Sequence, residues 1–173
     1  MTTTKVPLLD LVAQYQEIKP EMDAAIQRVL DSGYFILGPE VAAFEEEVAA
    51  YLGVAYGIGV ASGTDALILA LRALNIGPGD EVILPAYTFF ATIGAILHVG
   101  ATPILVDIDE QTYCIDIEQT HAKVTSATKA IIPVHLYGQA AEMEALTEIA
   151  DEHNLNIIED NAQAFGAEYK GRK

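Results

Sequence analysis

Three short segments of this sequence hold residues that could bind and polarise a small anionic ligand. Ser62-Gly63-Thr64 reads as a tight turn opening a helix. Gly63 has no Cβ to keep a ligand off the backbone. A helix beginning there would aim the Thr64 N–H and hydroxyl at a phosphate, at the positive end of the helix dipole. An ordinary helix N-cap has the same residues, and both readings stand. Asp160 ends the apolar run Ile157-Ile158 and is expected to be partly buried, where an ionised carboxylate needs a partner. A cationic ring nitrogen would serve, each charge stabilising the other; a turn-forming Asp is the alternative. Gln163 could donate to the same ligand or lie on the surface. Phe89 could stack flat on a planar cofactor or fill the core.

Other chemistries fit less well. Gly57, Gly59 and Gly63 are spaced G-x-G-x-x-x-G, one residue too long for a dinucleotide fingerprint. The acidic pair Asp80-Glu81 precedes its strand where a ribose-binding acid must follow one, so NAD is rejected. His98, His121, His135 and His153 are scattered without metal-ligand spacing, and no metal is expected. His98 lies in an apolar helical stretch and reads as a satisfied core or cleft residue. Cys114 has no base near it in sequence and is read as structural. No nucleophile-elbow motif is present.

The elements that must position these residues alternate along the chain. Residues 8–31 have helical apolar spacing, broken by Gly33. Pro39 opens a second helix with the stripe Val41, Phe44, Val48, Tyr51 and Leu52, stopped by Gly53. Strands are expected at 56–61, 81–84, 103–106, 130–135 and 156–159. Helices are expected at 65–74, 88–99, 117–124 and 142–153. Such alternation implies an α/β fold with a mainly parallel sheet covered by helices on both faces. Ligands then bind beyond the carboxyl ends of the strands, where Ser62-Gly63-Thr64, the Tyr87–Phe90 aromatics, His135-Leu136-Tyr137-Gly138 and Asp160 all stand. Residues 1–55 are expected as an N-terminal helical segment and residues 56–173 as a partial cofactor-binding domain.

Composition bounds the function. The 173 residues are 51% hydrophobic, enough for a sizeable core. A net charge of −16 argues against nucleic acid and anionic membrane surfaces as partners. The single cysteine excludes an internal disulfide and fits a reducing, cytoplasmic compartment. The start of the chain, Met1 to Gln16, lacks the pattern of a signal peptide. The 25 residues from Val82 to Val106 contain no Asp, Glu, Lys or Arg, but Pro85, Gly94, Gly100 and Pro103 interrupt them. A buried strand–helix–strand unit is therefore expected there instead of a membrane span. Tyr169-Lys170-Gly171-Arg172 reads as a hairpin turn, so the sequence is expected to be the N-terminal part of a longer chain.

Five motifs in order resemble the DegT/DnrJ/StrS family of nucleotide-sugar aminotransferases, which depend on pyridoxal 5′-phosphate (PLP). They are the segments 62–67, 77–82 and 85–92, then Pro133-Val134-His135-Leu136-Tyr137-Gly138-Gln139 and Ile158-Glu159-Asp160-Asn161-Ala162-Gln163-Ala164. Ser32 to Pro39 looks like the family's N-terminal loop. The resemblance implies the large domain of PLP fold type I, truncated before its end and lacking the small C-terminal domain, and a homodimer in the full-length parent. It implies amino transfer to a nucleotide-linked keto sugar from an amino acid, commonly glutamate. Gly63 and Thr64 resemble the holders of the cofactor phosphate, and Phe89 the aromatic stacked on its ring. Asp160 resembles the carboxylate paired with the ring nitrogen, Ala162 the small residue on the other ring face, and Gln163 the contact to the ring hydroxyl. The family's Schiff-base lysine lies beyond Lys173, so these residues alone are expected to be inactive. A sugar dehydratase of the same family, or a non-catalytic or regulatory remnant, are the alternatives.

Overall fold

The structure, a computed structural model, describes residues 6–173. The first residues of the signal-peptide reading lie outside that range. The chain divides into two compact units. One comprises residues up to Ala50 with Val54–Gly59, and the other Tyr51–Gly53 with Val60–Lys173.

In the first unit, α1 (Leu11–Ser32) is capped by the Asp10 carboxylate, which accepts from the Ala13 N–H. It ends at Gly33 with φ 68°, a left-handed cap that costs glycine nothing. Helix α2 (Pro39–Leu52) begins on its proline, as expected. The segment expected as a strand at 56–61 is not one. Instead the backbone of Gly57 runs so close to α2 that a Cβ there would collide with the Glu45 carbonyl, and Gly59 donates its N–H to Glu45 Oε1 at 2.6 Å. A side-chain acceptor on α2 thus takes a bond that a strand ladder would have used. Tyr56 and Ile58, read as strand residues, are exposed.

The second unit carries the sheet. Helix α3 (Gly63–Ala73) is followed by β1 (Glu81–Pro85), α4 (Phe90–His98), β2 (Thr102–Val106), α5 (Ile117–Ala122) and β3 (Thr128–Ile131). A short 3-10 turn (Leu136–Gly138), α6 (Met143–His153) and β4 (Asn156–Ile157) complete it. The strands are all parallel, in the order β2-β1-β3-β4. Both faces of the inner strand β1 are covered, which explains its unbroken apolar run. Val82 and Leu84 of β1 pack with Leu67, Leu71, Ala95 and Ile96. The intervening Ile83 packs on the other face with Cys114, Ile115, Leu146 and Ile149. This is the period of two that a pleated strand imposes. The stretch 82–106, free of Asp, Glu, Lys and Arg, is thereby a buried strand–helix–strand unit. Among the described residues no helix is long and apolar enough to cross a membrane.

Two features set up the site. The strand order reverses between β1 and β3, since the chain moves outward to β2 and then crosses back. Such a switch point opens a crevice at the carboxyl ends of the two strands. Further, α3 and α4 pack together, and the loop after α3 meets the end of α4, with Pro78 beside Gly100. Their carboxyl ends are therefore neighbours, and both helices begin at the carboxyl edge of the sheet.

Candidate functional site

Asp160 is anchored at that edge through both its backbone and its side chain. Its N–H donates to the Pro133 carbonyl at 2.9 Å and its carbonyl accepts from the His135 N–H at 3.2 Å. A parallel bridge to Val134 thus extends the β3–β4 pairing. Only 9% of the residue is exposed. Its Oδ2 accepts from the Thr92 hydroxyl at 2.8 Å and its Oδ1 from the Ala162 N–H at 3.2 Å. Thr92 spends its one proton on Asp160, so Thr88, 3.0 Å away, donates its own to Thr92. A carboxylate has about four acceptor sites, and two of these remain for a cation.

Ser62 caps α3, its hydroxyl accepting from the Asp65 N–H at 3.1 Å. The cap reading is therefore correct, and the helix begins two residues earlier than its apolar pattern implied. The N–H groups of Gly63 and Thr64 are left without a protein partner among the described residues. The space a Gly63 side chain would fill is open. A capped helix start with two free donors and room before it suits a phosphate.

Phe89 caps the start of α4 and is 73% exposed. It does not fill the core. Ala162 and Gln163 follow Asp160 on the exposed side. Gln163 Oε1 accepts from the Tyr137 N–H at 3.0 Å, which leaves its amide NH₂ to donate. The bond braces Tyr137 in a left-handed conformation, φ 54°. The Tyr137 and Tyr87 hydroxyls lie 3.1 Å apart, and this contact raises the Tyr137 pKa.

Sequence reasoning assigned no role to several groups here. Thr92 was part of a motif, but its bond crosses 68 positions of sequence. His135 is buried, with Nδ1 accepting from the Ala141 N–H at 3.0 Å. Its proton therefore sits on Nε2, which donates to Glu159 Oε2 at 2.8 Å. That hydrogen bond lowers the Glu159 pKa from 4.5, against the opposing effect of burial. Glu159 and Asn161 border a cavity of about 460 Å³ that Asp160 does not reach. His98, expected in the core or cleft, is exposed in the last turn of α4. Cys114 is buried as a structural residue, and burial raises its thiol pKa.

The described lysines are engaged elsewhere or stand apart. Lys19 pairs with Asp23 and Lys170 with Glu144. Lys173 lies over the Tyr51 ring at 3.5 Å. Lys129 stands in β3 and Lys123 caps α5, both at the amino edge of the sheet.

A mainly parallel sheet flanked by helices in this arrangement is the fold of the PLP fold type I aminotransferases. The chain belongs to the DegT/DnrJ/EryC1/StrS aminotransferase family, whose model matches residues 16–173. It is 53% identical over 171 residues to a dTDP-3-amino-3,4,6-trideoxy-α-D-glucose transaminase of Streptomyces venezuelae, covering 99% of this chain and 45% of that protein. It is 52% identical to a UDP-N-acetyl-3-dehydro-α-D-glucosamine 3-aminotransferase of Acidithiobacillus ferrooxidans, covering 98% and 46%. The crystal structure of S. venezuelae DesV in complex with a ketimine intermediate superposes with a TM-score of 0.97 at 53% identity, covering 99% and 46%. The chain thus spans about half the length of the relatives it matches. The family's cofactor is PLP.

Proposed function

We propose that the protein containing this chain transfers an amino group from an amino acid, glutamate in our reading, to the keto carbon of a nucleotide-linked sugar, using PLP held at the carboxyl edge of the sheet. The observation that carries this reading is the buried Asp160, locked by its backbone and by Thr92 and Ala162 but with acceptor capacity to spare. Bound there, PLP would supply the electron sink that amino transfer needs. Asp160 would hold a proton on the ring nitrogen by charge pairing. Gly63 and Thr64 would bind the phosphate through their free N–H groups and the Thr64 hydroxyl. Phe89 and Ala162 would sandwich the ring, and the Gln163 amide would donate to its hydroxyl. In this reading the lysine that carries the cofactor is contributed from outside residues 1–173, and these residues alone do not transaminate. The whole protein is a homodimer in the cytoplasm.

The experiment incubates the full-length protein and PLP with glutamate and, in turn, dTDP- and UDP-linked keto sugars, and follows products by mass spectrometry. Formation of 2-oxoglutarate together with an amino sugar supports the proposal. A sugar lacking one hydroxyl and no amino group would identify a dehydratase, and PLP binding without turnover a regulatory protein.

A further inference from the structure

At the amino edge of the sheet, opposite Asp160, the packing of α5 on α6 gathers three side chains that the site above does not use. His121 is in the last turn of α5 and His153 in the last turn of α6, beside Glu152. Glu152 Oε2 lies 3.6 Å from His121 Nε2, and its Oε1 lies 3.9 Å from His153 Nε2. The two rings are 5.5 Å apart and inclined at 48°. One ligating atom from each residue falls within 4.8 Å of the other two.

We propose that His121, Glu152 and His153 bind one divalent transition-metal ion of the zinc class. The two His–Glu separations exceed hydrogen-bond reach. They lie close to the spacing of about 3.4 Å between ligands arranged tetrahedrally around zinc. All three side chains are partly exposed, at 53%, 64% and 33%, so rotamer adjustments suffice to close the remaining gap. The donors are two imidazoles and one carboxylate. That set favours zinc, copper or nickel over calcium or magnesium, which prefer oxygen. Two neutral imidazoles and one carboxylate leave a single positive charge on the complex, with a fourth position for water. Both histidines sit at helix carboxyl ends, whose partial negative charge favours a cation. His153 also borders an open cavity of about 540 Å³ with Thr125, Ser126, Asn154 and Asn156, through which ion and water can enter. Lys129 lines the same cavity and Lys123 caps α5 two residues beyond His121, and both cations oppose binding. The ligands come from two helices, which is why no metal spacing shows in the sequence.

The test is calorimetric titration of zinc sulfate into the purified full-length protein. The expected result is one equivalent bound, weakened by more than about tenfold in each of His121→Ala, Glu152→Gln and His153→Ala. The exposed His98→Ala should bind as the unchanged protein does. Cobalt(II) should give the intense visible absorption of a tetrahedral site, lost in the same three variants. The exposed positions of these side chains leave the fold intact, which equal melting temperatures in chelator verify. No stoichiometric zinc binding, or binding that survives all three substitutions, overturns the proposal.

Discussion

The Thr92 hydroxyl donates a 2.8 Å hydrogen bond to Oδ2 of Asp160, tying the first turn of α4 to the chain just beyond β4. Both residues are buried, so the bond cannot be exchanged for water at no cost. Thr92→Val keeps the shape and removes the donor. It should destabilise the protein by about 1–3 kcal/mol, the cost of an unsatisfied buried acceptor, and weaken PLP binding. Thr92→Ser should restore most of both. Thermal melts and a PLP titration of the three proteins check this.

Asp160→Asn should leave the backbone bridge to Val134 in place but remove the charge. An amide cannot hold a proton on a ring nitrogen. If the full-length protein turns over as proposed, its turnover should fall by about 10²–10³, the range for loss of one preorganised electrostatic partner. Steady-state kinetics with saturating PLP measures it, and unchanged turnover would assign Asp160 another role.

Thr64→Val removes the hydroxyl offered at the start of α3 while keeping the side-chain volume. PLP affinity should drop by about 10–100-fold, the worth of one hydrogen bond to a charged group. Pyridoxal, which lacks the phosphate, should bind the variant and the unchanged protein alike. Equal losses for both ligands would place the phosphate elsewhere.

The His135 hydrogen bond holds the Glu159 pKa below 4.5 in the folded state. A depressed folded pKa means stability that is present above the unfolded value and lost as pH falls through the folded one. The pair should therefore support the fold at neutral pH and fail only below about pH 4.5. Glu159→Gln should lower the melting temperature at neutral pH and flatten its decline in acid. Because Glu159 is 47% exposed, solvent screening keeps the effect small.

Cys114 is 3% exposed, and burial pushes its thiol pKa upward. Little reactive thiolate is therefore expected in the folded protein. An aromatic disulfide reagent should leave Cys114 unmodified until denaturant is added. Prompt reaction in the native state would contradict its buried placement.

The inner strands β1 and β3 were legible because they are buried on both faces. Val82–Leu84 and Ala130–Ile132 are short apolar runs bounded by turn residues, as covered parallel strands are, and the helices between them showed their apolar spacing. Residues 56–61 misled because Tyr56, Ile58 and Val60 alternate as strand residues do. Pattern alone does not reveal that Gly57 and Gly59 let the chain lie on α2. The positions of Asp160 and Phe89 beyond their strands followed from alternation, whereas Gly63 opens α3 as its turn residues implied but not after the strand expected at 56–61. Thr92, the His135–Glu159 pair and the His121–Glu152–His153 cluster did not. Each depends on side chains meeting across elements, and no local spacing encodes that.

In the proposed function PLP lies between the start of α3 and Asp160. A crystal structure of the full-length protein with PLP tests it most directly. The ring nitrogen is expected within hydrogen-bond distance of the Asp160 carboxylate, the phosphate on the N–H groups of Gly63 and Thr64, and Phe89 against the ring. Cofactor density away from Asp160, for instance in the cavity beside Glu159, would contradict it.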